Sequence, residues 1–200
     1  MLQPSIKSRP VYGTLTPRAG SEHLIVADAA GADAILDMAA IAPLGFFDKA
    51  HILYVPIEHS NRERGDRLRA LDAAMFYEGP SLAAALPRLA QALANARMGT
   101  RLYLAGTEGL IGQAMKMALD AGIDHSSIET EHRGSTARRV QCVHCKGITE
   151  NVTTQPAVCA HCGLTLFVRD HYSRRIAAFQ GVCIDAEEPG IVPPTEEAFP

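Results

Sequence analysis

The sequence predicts an α/β domain, with a parallel sheet covered by helices on both faces, followed by a small module held together by four cysteines. Two observations support this division. Short apolar runs alternate with helical patterns over residues 23–133, which is the order of elements that builds parallel sheets. After that range, short strand-like pieces flank two Cys-x-x-Cys turns. The predicted parts are residues 1–133, 134–184 and an acidic, proline-rich tail at 185–200 that we expect to be extended.

The predicted strands of the α/β domain are three short apolar runs and a more polar segment that ends the series. They cover residues 23–27, 51–55, 101–105 and 127–131. Helical periodicity follows the first strand through Ala39, and two further helices are predicted at Leu82–Met98 and Leu110–Ala121. Residues 57–66 are polar and arginine-rich and are predicted to form a loop, whereas residues 70–76 fit either a short helix or a strand.

Composition limits the class of protein. With 200 residues, of which 47% are hydrophobic, the chain can bury a sizeable core beside a small module. No apolar run approaches the roughly 20 residues that cross a bilayer, and the first residues lack the apolar core of a signal peptide. We therefore expect a cytoplasmic protein with no membrane partner, in which reduced, metal-bound cysteines are favoured over disulfides. The formal net charge of −3 argues against nucleic-acid binding by the whole surface.

Four cysteines form two Cys-x-x-Cys pairs, and thirteen residues separate the pairs. Each turn brings two thiolates towards one ion, so that two turns complete a tetrahedral metal site. The predicted metal ligands are Cys142, Cys145, Cys159 and Cys162. Structural zinc is the favoured occupant and a rubredoxin-like iron is the alternative, because spacing alone does not separate the two metals. His144 and His161 lie inside the turns and are predicted to be exposed rather than ligands.

The remaining nucleophilic and titratable candidates are predicted to be structural. Cys183 lies between Val182 and Ile184, which favours a buried strand residue over a reactive thiol. His51 and His59 are predicted to be packing or surface residues, because no acid or nucleophile accompanies them at a recognisable spacing. No residue is therefore predicted to be catalytic.

A strand, a turn and a helix follow one another over Leu24–Met38, and the same layout returns over Leu102–Ile111. It resembles the nucleotide-binding domain of ferredoxin–NADP reductases, particularly the phthalate-dioxygenase-reductase type. In that family a Gly-Gly-x-Gly turn follows the first of these strands, and Cys-Gly-Pro follows the other. Ligands of parallel sheets bind beyond the carboxyl ends of the strands. The resemblance places a candidate NADP site at Asp28, Gly31, Gly106 and Thr107.

The first turn departs from the family pattern at the positions that approach the pyrophosphate. Asp28 and Ala29 stand where two of the glycines would be, and Ala105 and Thr107 stand where the later cysteine and proline would be. A carboxylate and added side chains oppose the close approach of a phosphate. NADP binding and a fold retained only as a docking platform therefore both stay open.

The chain combines a degenerate reductase-like half, a cysteine ribbon and the distinctive run Val168–Val182, in an unusual order. On these parts, over residues 20–188, the chain resembles the small subunit of bacterial dimethylamine monooxygenase. The resemblance implies an accessory subunit of a multi-component, NAD(P)H-dependent oxygenase that demethylates dimethylamine to methylamine and formaldehyde. It also implies a hetero-oligomer with oxygenase and reductase subunits, on which haem, FMN and iron–sulfur centres are expected.

Two alternatives stand beside this interpretation: a stand-alone zinc-ribbon protein that binds nucleic acid or protein, and an active NAD(P)H-binding reductase component. The cysteine module also carries a basic run, with seven Lys or Arg against two acidic residues over 133–175. We interpret this run as a solvated face or as a docking surface for an acidic partner. Nucleic acid is disfavoured because few aromatic residues are available to stack bases. The residues concerned are Arg138, Arg139, Lys146, Arg169, Arg174 and Arg175.

Overall fold

The computed structural model describes residues 8–57 and 62–200, and the chain divides into two compact units. The α/β unit comprises residues 12–134. The ribbon unit comprises residues 135–200 together with the described residues 8–11, which the sequence had assigned to the first domain. Within the described part of the chain, no helix combines the length and the apolar character that crossing a bilayer requires.

The α/β unit is built on five parallel strands in the order β3-β2-β1-β4-β5. The strands are β1 (Glu22–Asp28), β2 (Ala50–Val55), β3 (Met75–Glu78), β4 (Thr100–Gly106) and β5 (Ile128–His132). The strand order reverses between β1 and β4, which lie side by side in the centre. Such a reversal opens a crevice at the carboxyl ends of the two strands, where ligands of doubly wound sheets usually bind.

Four helices cover the two faces of this sheet. They are α1 (Gly31–Ala39), α2 (Arg62–Arg69), α3 (Leu82–Asn95) and α4 (Glu108–Asp120). Ile35 and Met38 of α1 and Leu68 of α2 pack on one face, against residues such as Ile25 and Tyr54. On the other face, apolar residues of α3 and α4 pack against β1, β2, β4 and β5. The predicted α/β architecture, with helices on both faces of a parallel sheet, is confirmed.

Two helix starts in this unit follow capping chemistry. The Ser81 hydroxyl accepts a hydrogen bond from the backbone of Ala84, and the Thr107 hydroxyl accepts one from Leu110. Each hydroxyl thereby satisfies one of the amides that a helix leaves unpaired at its start. Helix α3 runs through Pro87 and ends at Asn95, three residues before the predicted end.

The loop prediction for residues 57–66 is wrong over its second half, where α2 begins at Arg62. The sequence of this helix, Arg-Glu-Arg-Gly-Asp-Arg-Leu-Arg, has no apolar stripe, and only Gly65 and Leu68 are buried. Hydrophobic periodicity therefore gave no helical signal. The ambiguous segment 70–76 leads into strand β3. The prediction for His59 lies outside the described residues.

The ribbon unit contains a five-stranded sheet in the order β7-β6-β11-β10-β9 and a two-stranded pair, β8 with β12. The strands are β6 (Arg138–Cys142), β7 (Ile148–Val152), β8 (Thr154–Gln155), β9 (Ala157–Val158), β10 (Thr165–Ser173), β11 (Ala178–Cys183) and β12 (Glu196–Glu197). Strands β6 and β11 are parallel and the other pairs are antiparallel. Its core contains only eight buried residues, two of which are cysteines.

Most of the tail after β11 is exposed, and residues 184–190 form turns and bends. At its end, β12 pairs antiparallel with β8, and Phe199 packs against the core of the ribbon unit. Residues 185–200 therefore belong to the same compact unit as the cysteines.

A glycine-to-alanine substitution tests the close contact between α1 and β4. A Cβ at Gly31 would lie 2.2 Å from the carbonyl oxygen of Ala105, a backbone atom that cannot move aside cheaply. We expect Gly31→Ala to lower the free energy of unfolding by at least about 2 kcal/mol, measured by urea denaturation followed by circular dichroism. Gly13→Ala is the matched control, because its Cβ would lie 3.8 Å from the nearest atom. Equal stability of the two variants would contradict this packing.

Candidate metal centre and the crevice at the switch point

The four predicted ligand sulfurs lie together in the ribbon unit. The Sγ atoms of Cys142 and Cys162 are 3.8 Å apart, those of Cys145 and Cys159 are 3.7 Å apart, and all four lie within 4.8 Å of one another. A tetrahedron with metal–sulfur bonds of about 2.3 Å has sulfur–sulfur edges of about 3.8 Å. These distances are far longer than a disulfide bond of about 2 Å. The cluster therefore has the chemistry and size of a four-thiolate metal site.

The two cysteine turns have the same backbone geometry. Lys146 and Gly163, the residues after each pair, both have a positive φ, of 63° and 74°. Their amides donate to the carbonyl oxygens of Cys142 and Cys159, at 2.9 and 3.0 Å. The sequence signalled this conformation only at Gly163, because a lysine rarely adopts a positive φ. Each turn joins two antiparallel strands, β6 to β7 and β9 to β10.

Backbone amides of the turns stabilise negative charge on sulfur. The amide of Gly147 donates to Cys145 Sγ at 3.4 Å. Burial raises the pKa of the Cys159 thiol, but hydrogen bonds from the backbones of Cys162 and His161 and from neighbouring thiols outweigh it and lower the pKa to about 6. At Cys162 a backbone hydrogen bond from Leu164 favours the thiolate, yet desolvation and the neighbouring thiols raise the pKa to about 12. Ionisation of one thiol therefore opposes ionisation of its neighbour, and a bound cation would stabilise all the thiolates together.

His161 is exposed, as predicted, but it also holds the second turn in place. Its Nε2 lies 2.9 Å from the carbonyl oxygen of Ile148, and its ring packs on Gly147, where a Cβ would lie 2.4 Å from the ring. The amide of Ala160 also donates to the Thr149 hydroxyl. His144 is exposed. Neither histidine belongs to the sulfur cluster.

Cys183 and His51 differ in detail from their predictions. Cys183 lies in β11 but is partly exposed, and its Sγ lies 3.1 Å from Asp185 Oδ1. His51 Nδ1 lies 3.4 Å from Glu22 Oε1 on the neighbouring strand. A carboxylate therefore does accompany His51, but sequence spacing could not reveal it because the pair forms between strands.

The crevice at the carboxyl ends of β1 and β4 brings together Asp28, Gly31, Gly106 and Thr107. The carboxylate of Asp28 is buried and accepts two hydrogen bonds from Thr107, one from the backbone amide at 2.8 Å and one from the hydroxyl at 2.6 Å. Burial raises the pKa of Asp28, although the Thr107 hydrogen bonds act in the opposite direction. A carboxylate of the chain itself thus occupies the start of helix α4, where amides favour an anion.

The backbone leaves no room around this carboxylate. A Cβ at Gly106 would lie 1.8 Å from Asp28 Oδ1, and Gly106 has a φ of 128°, which side chains rarely adopt. Ala29 has a φ of 39°, so an alanine adopts the left-handed conformation that glycine adopts most easily. The carbonyl oxygen of Gly106 accepts from the amide of Arg133. The groups that would line a phosphate site bond to one another.

The basic run of the ribbon unit is not a continuous exposed surface. Arg138 is buried and paired with Asp170. Arg139 donates from Nε to both carboxylate oxygens of Glu150 and from Nη1 to two backbone carbonyls. Arg174 and Arg175 are exposed in the turn between β10 and β11. The sequence showed the basic residues of this run. It could not show which of them are paired within the unit and which face solvent, because the pairing partners are distant in sequence.

Two family models match the chain in succession. The N-terminal domain model of the dimethylamine monooxygenase subunit DmmA-like family matches residues 4–128, and the C-terminal domain model matches residues 139–182. A curated relative is the "Heme-dependent oxidative N-demethylase delta subunit" of Ectopseudomonas mendocina (strain ymp). It is 36% identical over 110 residues, which cover 55% of this chain and 63% of the relative. The match thus spans less than two thirds of the relative's length.

Solved structures with a similar fold include two reductases. Phthalate dioxygenase reductase is 12% identical, with a TM-score of 0.46 over 72% of this chain and 46% of that chain. A ferredoxin NADP+ reductase from Neisseria gonorrhoeae with bound FAD and NADP is 17% identical, with a TM-score of 0.41 over 57% of this chain and 56% of that chain. The family models match both parts of the present chain, and the first alone matches more than half of it. The chain therefore belongs to the dimethylamine monooxygenase subunit DmmA-like family.

Proposed function

We propose that this chain is a non-catalytic subunit of an oxidative amine demethylase that converts dimethylamine to methylamine and formaldehyde. One observation carries the non-catalytic role: the crevice at the switch point and the candidate metal site are both filled by groups of the chain itself. Asp28 occupies the crevice at the switch point, and four cysteines saturate the candidate metal site. The family match and the relative's description as a demethylase subunit support the enzyme class.

Zinc is the proposed occupant of the four-cysteine site, at Cys142, Cys145, Cys159 and Cys162. Four thiolates complete a tetrahedral zinc ion and leave no open position for water or substrate. The ribbon unit has a small core, and the two turns that carry the cysteines connect strands at both ends of its sheet. Metal binding would therefore supply much of the folding free energy of this unit and no redox chemistry.

The closed crevice argues against a working NADP site at Asp28, Gly31, Gly106 and Thr107. A pyrophosphate would have to displace a buried carboxylate and take the Thr107 amide from it. It would also meet a negative charge wherever Asp28 remained ionised, which costs binding free energy in a site of low dielectric constant. We therefore propose that oxygenase and reductase partners hold the NAD(P)H, haem, FMN and iron–sulfur sites, and that this subunit organises those partners.

Metal analysis tests the ribbon assignment. The chain purified from its native host should contain about one zinc ion per molecule, and Cys159→Ser should reduce this to near zero and unfold the ribbon unit. Cys183→Ser is the control, because its sulfur lies outside the cluster, and it should retain the metal. Elemental analysis and circular dichroism provide the readouts. A content of about one iron per chain, with sulfur-to-iron absorption bands, would contradict the zinc assignment and indicate a rubredoxin-like centre.

Asp28 should make the stability of the α/β unit depend on pH. Its pKa is raised in the folded state, so the folded protein holds this proton more tightly than the unfolded chain does. Stability is then greatest below the unfolded pKa of about 4 and falls as the pH rises through the folded pKa. Asp28→Asn should remove this loss. Between low and neutral pH, the free energy of unfolding of the variant should therefore rise relative to that of the wild type, by about 1.4 kcal/mol for each pH unit by which folding raises the pKa of Asp28.

Urea denaturation between about pH 4 and pH 7 measures this effect over the range in which a raised carboxyl pKa titrates. Thr107→Val should change the pH dependence of stability in the opposite direction to Asp28→Asn. It removes the hydroxyl that stabilises the Asp28 carboxylate, so it should steepen the fall in stability with rising pH. Parallel pH profiles for the wild type and Asp28→Asn would contradict the closed-crevice description.

Purification under native conditions tests the subunit role. A tagged chain expressed in its own host should copurify with haem-containing partners, detected by the haem absorption band and by mass spectrometry. Cys159→Ser should lose these partners while Cys183→Ser keeps them. Recovery of a folded, metal-loaded monomer without partners would exclude the subunit role. Saturable NADPH binding by the isolated chain would instead favour the active reductase component.

A further inference from the structure

A groove on the ribbon unit is filled by residues 196–200 of the chain. Its walls are the backbone of Thr153–Gln155, the side chains of Arg138 and Phe179, and the polar groups of Ser135–Thr136. We refer to these walls as the Arg138 groove. None of the functions considered above uses it.

The backbone of residues 196–200 is held as an added strand. Glu196 pairs with Gln155 and Glu197 pairs with Thr154 in an antiparallel register. The amides of Ala198 and Phe199 then both donate to the carbonyl oxygen of Thr153, at 2.9 and 2.8 Å. Addition of an extended segment to a free strand edge is a general mode of peptide recognition, in which the backbone supplies affinity and side-chain pockets supply specificity.

Phe199 is the side-chain anchor of the segment. The Arg138 guanidinium lies between two aromatic rings, 4.1 Å from the centroid of Phe179 and 4.0 Å from that of Phe199. Arg138 is only 5% exposed and donates from Nη2 to Asp170 at 2.9 Å. Asp170 is also buried and pairs with Arg9 at 2.6 Å. The ion pair lines the groove, and Phe199 adds a cation–π contact with its guanidinium.

The end of the segment is fixed by a cluster of donors. The carbonyl oxygen of Pro200 accepts from the backbone amide of Thr136 at 2.5 Å, from its hydroxyl at 3.0 Å, and from the Ser135 hydroxyl at 3.1 Å. Three donors on one carbonyl fix the position of Pro200 in the groove. Together with the strand pairing, they fix the register of Phe199 over Arg138.

The connection between this segment and the rest of the unit is loose. Residues 186–195 are exposed, and they form local hydrogen bonds, from Ile191 to Glu188 and from Gly190 to Asp185. The connecting residues are rich in proline and acidic side chains. A segment that is anchored at its own residues and joined by an exposed tether has the arrangement of a tethered ligand.

We propose that the Arg138 groove is a peptide-binding site for extended segments containing Ala-Phe-Pro, and that residues 196–200 are its resident, exchangeable ligand. The partner class is therefore a polypeptide with this pattern, presented as a strand. This proposal goes beyond the demethylase role and does not depend on it, because every contact lies within the ribbon unit.

The test uses the complete chain with a protease site placed in the exposed residues 188–192. After folding and metal loading, cleavage converts the tether into a separate peptide that dialysis can remove. A fluorescein-labelled peptide with the sequence of residues 193–200 is then titrated and followed by anisotropy. We expect saturable binding to the cleaved chain and binding about tenfold weaker or more to the uncleaved chain, because its own segment competes at high effective concentration.

Peptide variants distinguish specific binding in the groove from nonspecific binding. A peptide with Phe199→Ala should bind about tenfold more weakly, because it loses the contact with the Arg138 guanidinium. A peptide with Glu197→Ala is the matched control and should bind like the wild type, since that side chain is exposed. Absence of saturable binding to a folded, metal-loaded cleaved chain would overturn the proposal. Equal affinity of the Phe199→Ala and wild-type peptides would also overturn it.

A second variant covers the case in which the cleaved chain unfolds. The uncleaved chain carrying Phe199→Ala has a weakened internal competitor, so it should bind the wild-type peptide at least about tenfold more tightly than the uncleaved wild type does. Indistinguishable affinities in these two folded proteins would show that residues 196–200 are a permanent part of the ribbon unit.

Discussion

The ribbon unit depends on the crowding of four cysteine sulfurs. Thiols at the sulfur–sulfur distances of 3.7 and 3.8 Å are close enough that ionisation of one opposes ionisation of the next, as the opposite pKa shifts of Cys159 and Cys162 indicate. A cation resolves this conflict by letting all four ionise. The two turns that it would join lie in hairpins at opposite edges of one sheet, so a bound cation would connect both edges of the sheet.

In the α/β unit, a carboxylate of the chain lies at a position that favours an anion. The carboxyl ends of β1 and β4 and the start of α4 form a place that favours an anion. Asp28 supplies that anion from within the chain, and Thr107 gives it the hydrogen bonds that a phosphate would otherwise accept. The close contacts at Gly31 and Gly106 then leave little room for a ligand. The start of α4 is therefore stabilised by contacts within the chain itself.

Local patterns predicted much of this structure, and long-range contacts explain what they missed. Apolar runs located β1, β2 and β4, because buried strands need continuous apolar sequence. Strand β5 was placed at 127–131 by its position at the end of the alternating series. Helix α2 was missed because its burial rests on Gly65 and Leu68 alone. The Asp28–Thr107 contact joins residues 79 positions apart, so a sequence shows the carboxylate but not its partner. The cysteine spacing was informative because both ligands of each turn are local.

Strand β6 connects the two features of the ribbon unit that sequence reasoning treated separately. Arg138, Val140 and Cys142 alternate along it as its buried residues, so they share one face of the sheet. One end of the strand thus carries the guanidinium under Phe199, and the other carries a cysteine of the sulfur cluster.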